Sequence, residues 1–177
     1  MKLVILDRDG VINQDRDDYV KSEDEWVPIP GSLEAIARLN RAGYRVAVAT
    51  NQSGLARGLF DIARLNAMHD KMHRLLNHAG GRVDAVFFCA HLPEDRCACR
   101  KPAPGMLLAI GDRFQVPLAN VPVVGDRLKD LQAGVAVGAR PHLVLTGKGR
   151  LDFAAGGLPE GTQVHENLAA FALSIVD

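Results

Sequence analysis

Asp7 and Asp9 stand two residues apart in "LDRDGV", directly after an apolar run. At an extended strand end, residues i and i+2 project to the same side, so both carboxylates can face one ligand. Thr50, Asn51, Gln52 and Ser53 follow a second apolar run, and Lys101 follows a third after an intervening loop. Asp126 and Asp130 follow a fourth, in "VVGDRLKD". Carboxylates, a hydroxyl and an ammonium group in this order suit phosphoryl transfer to a carboxylate. One of the paired aspartates would attack phosphorus and form an aspartyl-phosphate. The other would protonate the departing alkoxide and then activate water. A carboxylate approaching a phosphate dianion meets like-charge repulsion, which a hard cation with oxygen ligands, such as Mg2+, offsets. Asp7 and Asp126 would hold that ion with side chains, and Asp9 with its backbone carbonyl. Thr50 and the N–H of Asn51 would hold phosphoryl oxygens, and Lys101 would stabilise their charge. Each motif alone also reads as a turn or a helix cap; the chemistry rests on their joint order.

A second constellation precedes Lys101. All three cysteines, Cys89, Cys97 and Cys99, lie with His91 in "CAHLPEDRCACRKP". Three thiolates and one imidazole match a closed tetrahedral zinc site. A closed shell leaves no position for a reacting water, so this Zn2+ is expected to be structural. Arg100 and Lys101 begin immediately after the last ligand, so the zinc loop (89–101) would position both. By contrast, His69 and His73, at i and i+4 of a helical pattern, lack a third ligand and read as solvated helix histidines. His78, His142 and His165 carry no signal.

The elements that must position these groups alternate along the chain. Strands are expected at 2–6, 44–50, 83–89, 120–126 and 142–147, each a short apolar run. Helices are expected at 32–43, with Ser32 as N-cap and Gly43 as the stop, and at 61–79, capped by Asp61. The second would turn Ile62, Leu65, Met68, Met72, Leu75 and Leu76 inward. Further helices are expected at 105–114, 127–137 and 167–176. Such alternation predicts an α/β fold of three layers, a Rossmann-like parallel sheet covered on both faces. Ligands then bind beyond the carboxyl ends of the strands, where the polar residues above fall. Residues 11–31 suffice for a small flap but not for a separate cap domain.

The chain has 177 residues, which predicts one domain spanning 1–177. It carries 21 Lys plus Arg against 21 Asp plus Glu, a formal net charge of zero. That balance gives no basic stripe for nucleic acid or for a membrane surface. The opening apolar run is too short for a signal peptide, so a cytoplasmic location is expected. In that compartment clustered cysteines point to metal or catalysis rather than to a disulfide framework.

With these residues in view, the sequence resembles the haloacid dehalogenase (HAD) superfamily of phosphatases. The four motifs run in order: Asp7, Asp9 and Gly10; Thr50; Lys101; and Gly125 and Asp126 with Asp130. The stretches "TNQSGLARGLF", "FCAHLP", "CACRKPAPGML" and "VLTGKG" resemble a subgroup acting on heptose 1,7-bisphosphate, with the histidinol-phosphate phosphatases as near relatives. The resemblance covers residues 3–149. It implies Asp7 as nucleophile, Asp9 as general acid and base, and Asp130 as an indirect partner of Mg2+. It also implies substrate contacts from Gln52, Ser53, Arg100 and Arg57. Asp15, Asp17, Asp18 and Tyr19 lie in the flap, where sugar hydroxyls come within reach. The expected reaction is removal of the C7 phosphate on the way to nucleotide-activated heptose, by a monomer acting on a small sugar phosphate. Histidinol phosphate is the alternative substrate, and a polynucleotide 3′-phosphatase or a zinc-stapled binding module are more remote readings.

Overall fold

The first apolar run forms β1 (Lys2–Leu6) in the computed structural model, which describes residues 1–176; Asp177, the end of the expected domain, lies outside the described residues. Val4 and Leu6 enter one apolar cluster and Leu3 and Ile5 the other. A strand with both faces covered needs apolar side chains at every position, which is why this run does not alternate. The chain continues through α1 (Ser32–Arg41), β2 (Tyr44–Asn51), α2 (Ile62–His78) and β3 (Ala85–Cys89). After a short 3-10 turn at Pro93–Asp95 come α3 (Gly105–Phe114), β4 (Pro122–Gly125), α4 (Leu128–Ala136) and β5 (Arg140–Val144). α5 (Gly149–Ala155), β6 (Gln163–His165) and α6 (Leu168–Ile175) follow.

All six strands pair in parallel, in the order β3-β2-β1-β4-β5-β6. The chain therefore runs outward from β1 to β3, crosses back to β4 on the other side of β1, and runs outward again. At that reversal the loops after β1 and β4 diverge and leave a crevice. α1, α2 and α6 cover the face of Val4 and Leu6, with Ile36, Leu39, Met68, Met72 and Phe171 fully buried. α3 covers the face of Leu3 and Ile5 through Met106, Leu107 and Ile110, and α4 adds Ala133. The expected three layers are present.

Several details differ from expectation. Ser32 is the first helical residue rather than the cap; Gly31, at φ 88°, precedes it, and the Ser32 hydroxyl donates to the Val11 carbonyl at 2.8 Å. Asp61 does cap α2, accepting from the Arg64 N–H at 2.9 Å. Ile62, expected inside, is half exposed, because periodicity fixes the phase of a helix but not how far its partners extend. β5 begins two residues earlier than expected, and α5 and β6 are too short to give a periodic signal.

Residues 7–31 form the longest connection between regular elements among the described residues. The flap within it is sewn down by backbone bonds from Gln14 N–H to Val27 O (2.8 Å) and from Ile29 N–H to Ile12 O (2.9 Å). Trp26 is fully buried against the Val4 and Leu6 face. Among the described residues no helix is long and apolar enough to cross a membrane. Trp26→Ala is expected to cost about 3–5 kcal/mol, as truncation of a buried aromatic does. Urea unfolding measures this, and a loss below about 1 kcal/mol would show that the flap is not anchored by this ring.

Candidate active site

Asp7 leaves β1 and Asp126 leaves β4, so the two sit side by side where the strand order reverses. Asp130 lies one turn into α4. One carboxylate oxygen from each of the three falls within 4.8 Å of the others. Lys101 enters from the loop after β3 and is only 4% exposed. Its Nζ stands 2.7 Å from Asp130 Oδ1 and 3.0 Å from Asp7 Oδ1, and donates to the Ala49 carbonyl at 2.7 Å. The Lys101 backbone is clamped by Asn51, whose Oδ1 accepts from the Lys101 N–H (3.0 Å) while its Nδ2 donates to the Lys101 carbonyl (3.1 Å).

The electrostatics are strained by burial. Desolvation, and then the neighbouring Asp130, push Asp7 up to about 7 against the pull of Lys101. Asp126 is raised well above the carboxylate range by burial, then by Asp7 and Asp130. Burial also opposes the charge on Lys101, but Asp130 and Asp7 outweigh it and raise its pKa. Asp126 Oδ2 accepts from the Lys148 N–H at 3.0 Å, whereas its buried Oδ1 has no partner. Gly10, at φ 85°, and Gly147 press against this carboxylate, and a Cβ on either would run into it. Clustered hard oxygens, one of them orphaned in a glycine-walled seat, fit a small divalent cation.

Asp9 lies beside the cluster in a separate hydrogen-bond cradle. Its Oδ1 accepts from Arg8 Nε and Asn13 Nδ2, both at 2.9 Å, and its Oδ2 accepts from Gln52 Nε2 at 3.2 Å. Burial favours the neutral acid, but Arg8 and these donors outweigh it and hold Asp9 below its ordinary value. Arg8 is fully buried, and its NH1 meets His69 Nε2 of α2 at 3.1 Å. His69 is therefore not a solvated helix histidine: the fold turns it inward against a buried guanidinium. Burial and then Arg8 push it down to about 3. His73 and His78 are not buried, in keeping with expectation, while His142 and His165 bond one another at 3.0 Å.

The four residues of the cysteine loop converge. Sγ of Cys89 stands 2.9 Å from that of Cys99 and 3.6 Å from that of Cys97, which is itself 3.6 Å from Cys99 Sγ. His91 Nδ1 lies 3.4 Å from Cys89 Sγ and 3.2 Å from Cys99 Sγ. A tetrahedron with metal–sulfur distances of about 2.3 Å has edges of about 3.8 Å; the two edges to Cys97 come near this, the Cys89–Cys99 edge is shorter, and the donor set fits zinc. The three thiols are free, and burial pushes Cys89 up to about 12. Only the 3-10 turn interrupts the irregular backbone of this loop.

A polar cavity of about 220 Å³ opens above the carboxylates. Asp7, Asp9, Thr50, Asn51, Ser53, Arg100, Lys101 and Asp126 all line it. Gln52 lies behind this wall, donating to Thr50 Oγ1 at 3.0 Å as well as to Asp9. Arg57 is outside the lining, exposed, with its guanidinium 5.7 Å from the Tyr19 ring. Of the flap residues, Asp15, Asp17 and Tyr19 reach the cavity, whereas Asp18 pairs with Arg16 and Lys21. Arg16, Arg127, Lys129 and Lys148 also line the cavity, and sequence reasoning did not single them out. Only "VLTGKG" pointed towards Lys148.

Known proteins bear on this site. A family model described as haloacid dehalogenase-like hydrolase matches residues 2–138. A D-glycero-beta-D-manno-heptose-1,7-bisphosphate 7-phosphatase of Bordetella bronchiseptica is 64% identical over 172 residues, covering 97% of this chain and 96% of its own. The enzyme of the same name from Neisseria meningitidis serogroup A is 55% identical over 178 residues, with 99% and 95% covered. The crystal structure of D,D-heptose 1,7-bisphosphate phosphatase from B. bronchiseptica, complexed with magnesium and phosphate, superposes with a TM-score of 0.97. It is 63% identical and covers 99% of this chain and 98% of its own. The likeness thus runs through the tail beyond Gly149, which the sequence resemblance had not reached. The strand order, the charged tips of β1 and β4 and the matched family model agree, and the chain belongs to the haloacid dehalogenase-like hydrolases.

Proposed function

We propose that this chain removes the C7 phosphate of D-glycero-D-manno-heptose 1,7-bisphosphate through an aspartyl-phosphate on Asp7, in the synthesis of nucleotide-activated heptose. The observation that carries the chemistry is the buried Lys101 paired with Asp7 at the cavity floor, with Asp9 cradled beside it. The relatives named above support the substrate. The side chains of Asp7 and Asp126 and the Asp9 carbonyl would hold Mg2+, with Asp130 as an indirect partner, and the ion would supply the positive charge that lets a carboxylate approach a phosphate dianion. Asp7 attacks phosphorus in line with the leaving oxygen. Lys101, the Thr50 hydroxyl and the Asn51 N–H hold the equatorial oxygens. Asp9 gives a proton to the departing alkoxide and then takes one from the water that cleaves the acyl phosphate.

Arg100 lines the cavity with a buried NH1 that has no partner. A forked donor left unpaired supports a contact to the second phosphate or to the sugar. Lys129 on the same walls, with Arg127 (paired with Asp152) and Lys148 (paired with Asp15 and Asp17), adds cationic groups suited to a second phosphate. Ser53 is placed for a sugar contact, Gln52 acts from behind Thr50 and Asp9, and Arg57 acts through Tyr19 and through Ser53, whose hydroxyl accepts from its Nε at 3.4 Å. Zinc on Cys89, His91, Cys97 and Cys99 is structural and fixes where Arg100 and Lys101 emerge. In this reading the chain works as one domain and as a monomer. Reduced thiols suit the cytoplasm.

Phosphate release from the heptose bisphosphate is expected to require Mg2+ and to exceed release from histidinol phosphate; the opposite ranking would remove the heptose assignment. Asp7→Asn is expected to lower kcat at least ~10³-fold, in keeping with loss of a covalent nucleophile, and equal activity would exclude Asp7 from that role.

Cys99→Ala is expected to release zinc, measured by metal analysis, and to lower turnover with it. Zinc loss with full activity would uncouple the loop from the site.

Asp7 and Asp126 have folded pKa values above their unfolded ones, so without metal each favours folding below the unfolded value and loses that contribution as pH rises through the folded one. Mg2+ binds the ionised forms. The rise in Tm on adding Mg2+ to protein in EDTA is therefore expected to grow between about pH 5.5 and 8. A constant or shrinking increment would mean that these carboxylates do not hold the ion.

A further inference from the structure

Arg8 lies between two residues of the proposed chemistry yet faces away from the cavity, with no exposed surface. A buried guanidinium is costly unless it is paired and hydrogen-bonded, and here its partners are specific. Nε donates to Asp9 Oδ1 at 2.9 Å and NH1 reaches His69 Nε2 at 3.1 Å, while NH2 lies 2.9 Å from the same Oδ1 as an ion pair without hydrogen-bond geometry. Because a guanidinium only donates, His69 must accept on Nε2 and carry its own proton on Nδ1. Asn13 Nδ2 also donates to Asp9 Oδ1 at 2.9 Å.

The consequence concerns which oxygen of Asp9 can carry a proton. Oδ1 is occupied by donors from Arg8 and Asn13. Oδ2 has a single longer contact, from Gln52 at 3.2 Å, and belongs to a side chain that is 24% exposed and lines the cavity. We infer that Arg8, held from behind by His69, is a positioning residue that locks Oδ1 of Asp9 and so makes Oδ2 the atom that delivers and accepts the proton. This rests on the general acid and base role given to Asp9 above. In the first step the Oδ2–H bond breaks, the proton passes to the leaving oxygen as its bond to phosphorus breaks, and Asp9 is left ionised. In the second, Oδ2 takes the proton of the attacking water. His69 touches no reacting atom; it reaches the chemistry only through Arg8.

The test depends on the leaving group. An alkoxide needs a proton in the transition state, whereas p-nitrophenolate leaves without one. A defect in Asp9 orientation should therefore slow an alkyl phosphomonoester far more than p-nitrophenyl phosphate, while general damage to the fold slows both. For Arg8→Gln, kcat/KM for the heptose bisphosphate is expected to fall by about 10²-fold or more, the scale of general acid catalysis. The fall for p-nitrophenyl phosphate should be at least tenfold smaller. His69→Leu is expected to repeat this selectivity at roughly tenfold, the scale of one buried hydrogen bond to a charged group. His69→Gln, which restores an acceptor, should recover part of the loss. Equal losses on both substrates, or no difference between His69→Leu and His69→Gln, would overturn the inference. Should Arg8→Gln not fold, the His69 pair decides alone. A wild-type protein with no Mg2+-dependent hydrolysis of either ester would instead bring down the phosphatase reading and this inference with it.

Discussion

One buried ammonium group faces three carboxylates at the centre of this molecule. Lys101 pairs with Asp130 at 2.7 Å and with Asp7 at 3.0 Å, and Asp126 stands within the same cluster. Negative charge of this density in a desolvated site is tolerated only with compensating cations. The lysine offsets part of it, and the orphaned Asp126 Oδ1 marks where the rest is needed. The fold follows from assembling this cluster. The parallel order places the ends of β1 and β4 together, α4 supplies Asp130, whose Oδ2 also accepts from the Arg127 N–H at 3.1 Å, and glycines at 10 and 147 clear the space.

The lysine comes from no regular element; the chain brings it in through the cysteine loop, anchored at Cys89 by β3 and at Lys101 by the side chain of Asn51. The two proposed metal sites thus divide the work. The softer donors would shape the loop that brings in a cation, and the harder ones gather charge that this cation and Mg2+ would balance. Asp9 stands apart from both, held by Arg8 and Asn13 rather than by the lysine. Two aspartates two residues apart therefore meet opposite environments, one raised by burial among carboxylates and one lowered by a guanidinium. A cation bound by the carboxylate cluster would draw Asp7 towards the ionised form that its role as nucleophile needs.

Much of this was legible in the sequence. The apolar runs at β1, β2 and β4 each end in polar residues, and a parallel sheet brings those ends together. The cysteine loop was legible because three thiols and an imidazole within eleven positions, Cys89 to Cys99, match the donor set of a closed zinc shell. What escaped notice depended on contacts between distant segments. Arg8, flanked by aspartates, gives no local sign of burial, and only the packing of α2 against the first loop sets His69 behind it. Arg127 and Lys129 reach the cavity from the cap and first turn of α4, and Lys148 from the loop after β5, and no local pattern encodes that convergence. β6, with three residues, is held by its ladder to β5 rather than by its own propensity.

The central claim is that Asp7 carries the phosphoryl group between substrate and water. Acid quenching during turnover of substrate labelled with radioactive phosphate at C7, followed by peptide mapping, tests it most directly. The label is expected on the N-terminal peptide containing Asp7, in an acyl linkage that hydroxylamine releases. Label on another residue, or single-turnover hydrolysis at the full rate with no labelled protein at any time point, would contradict it.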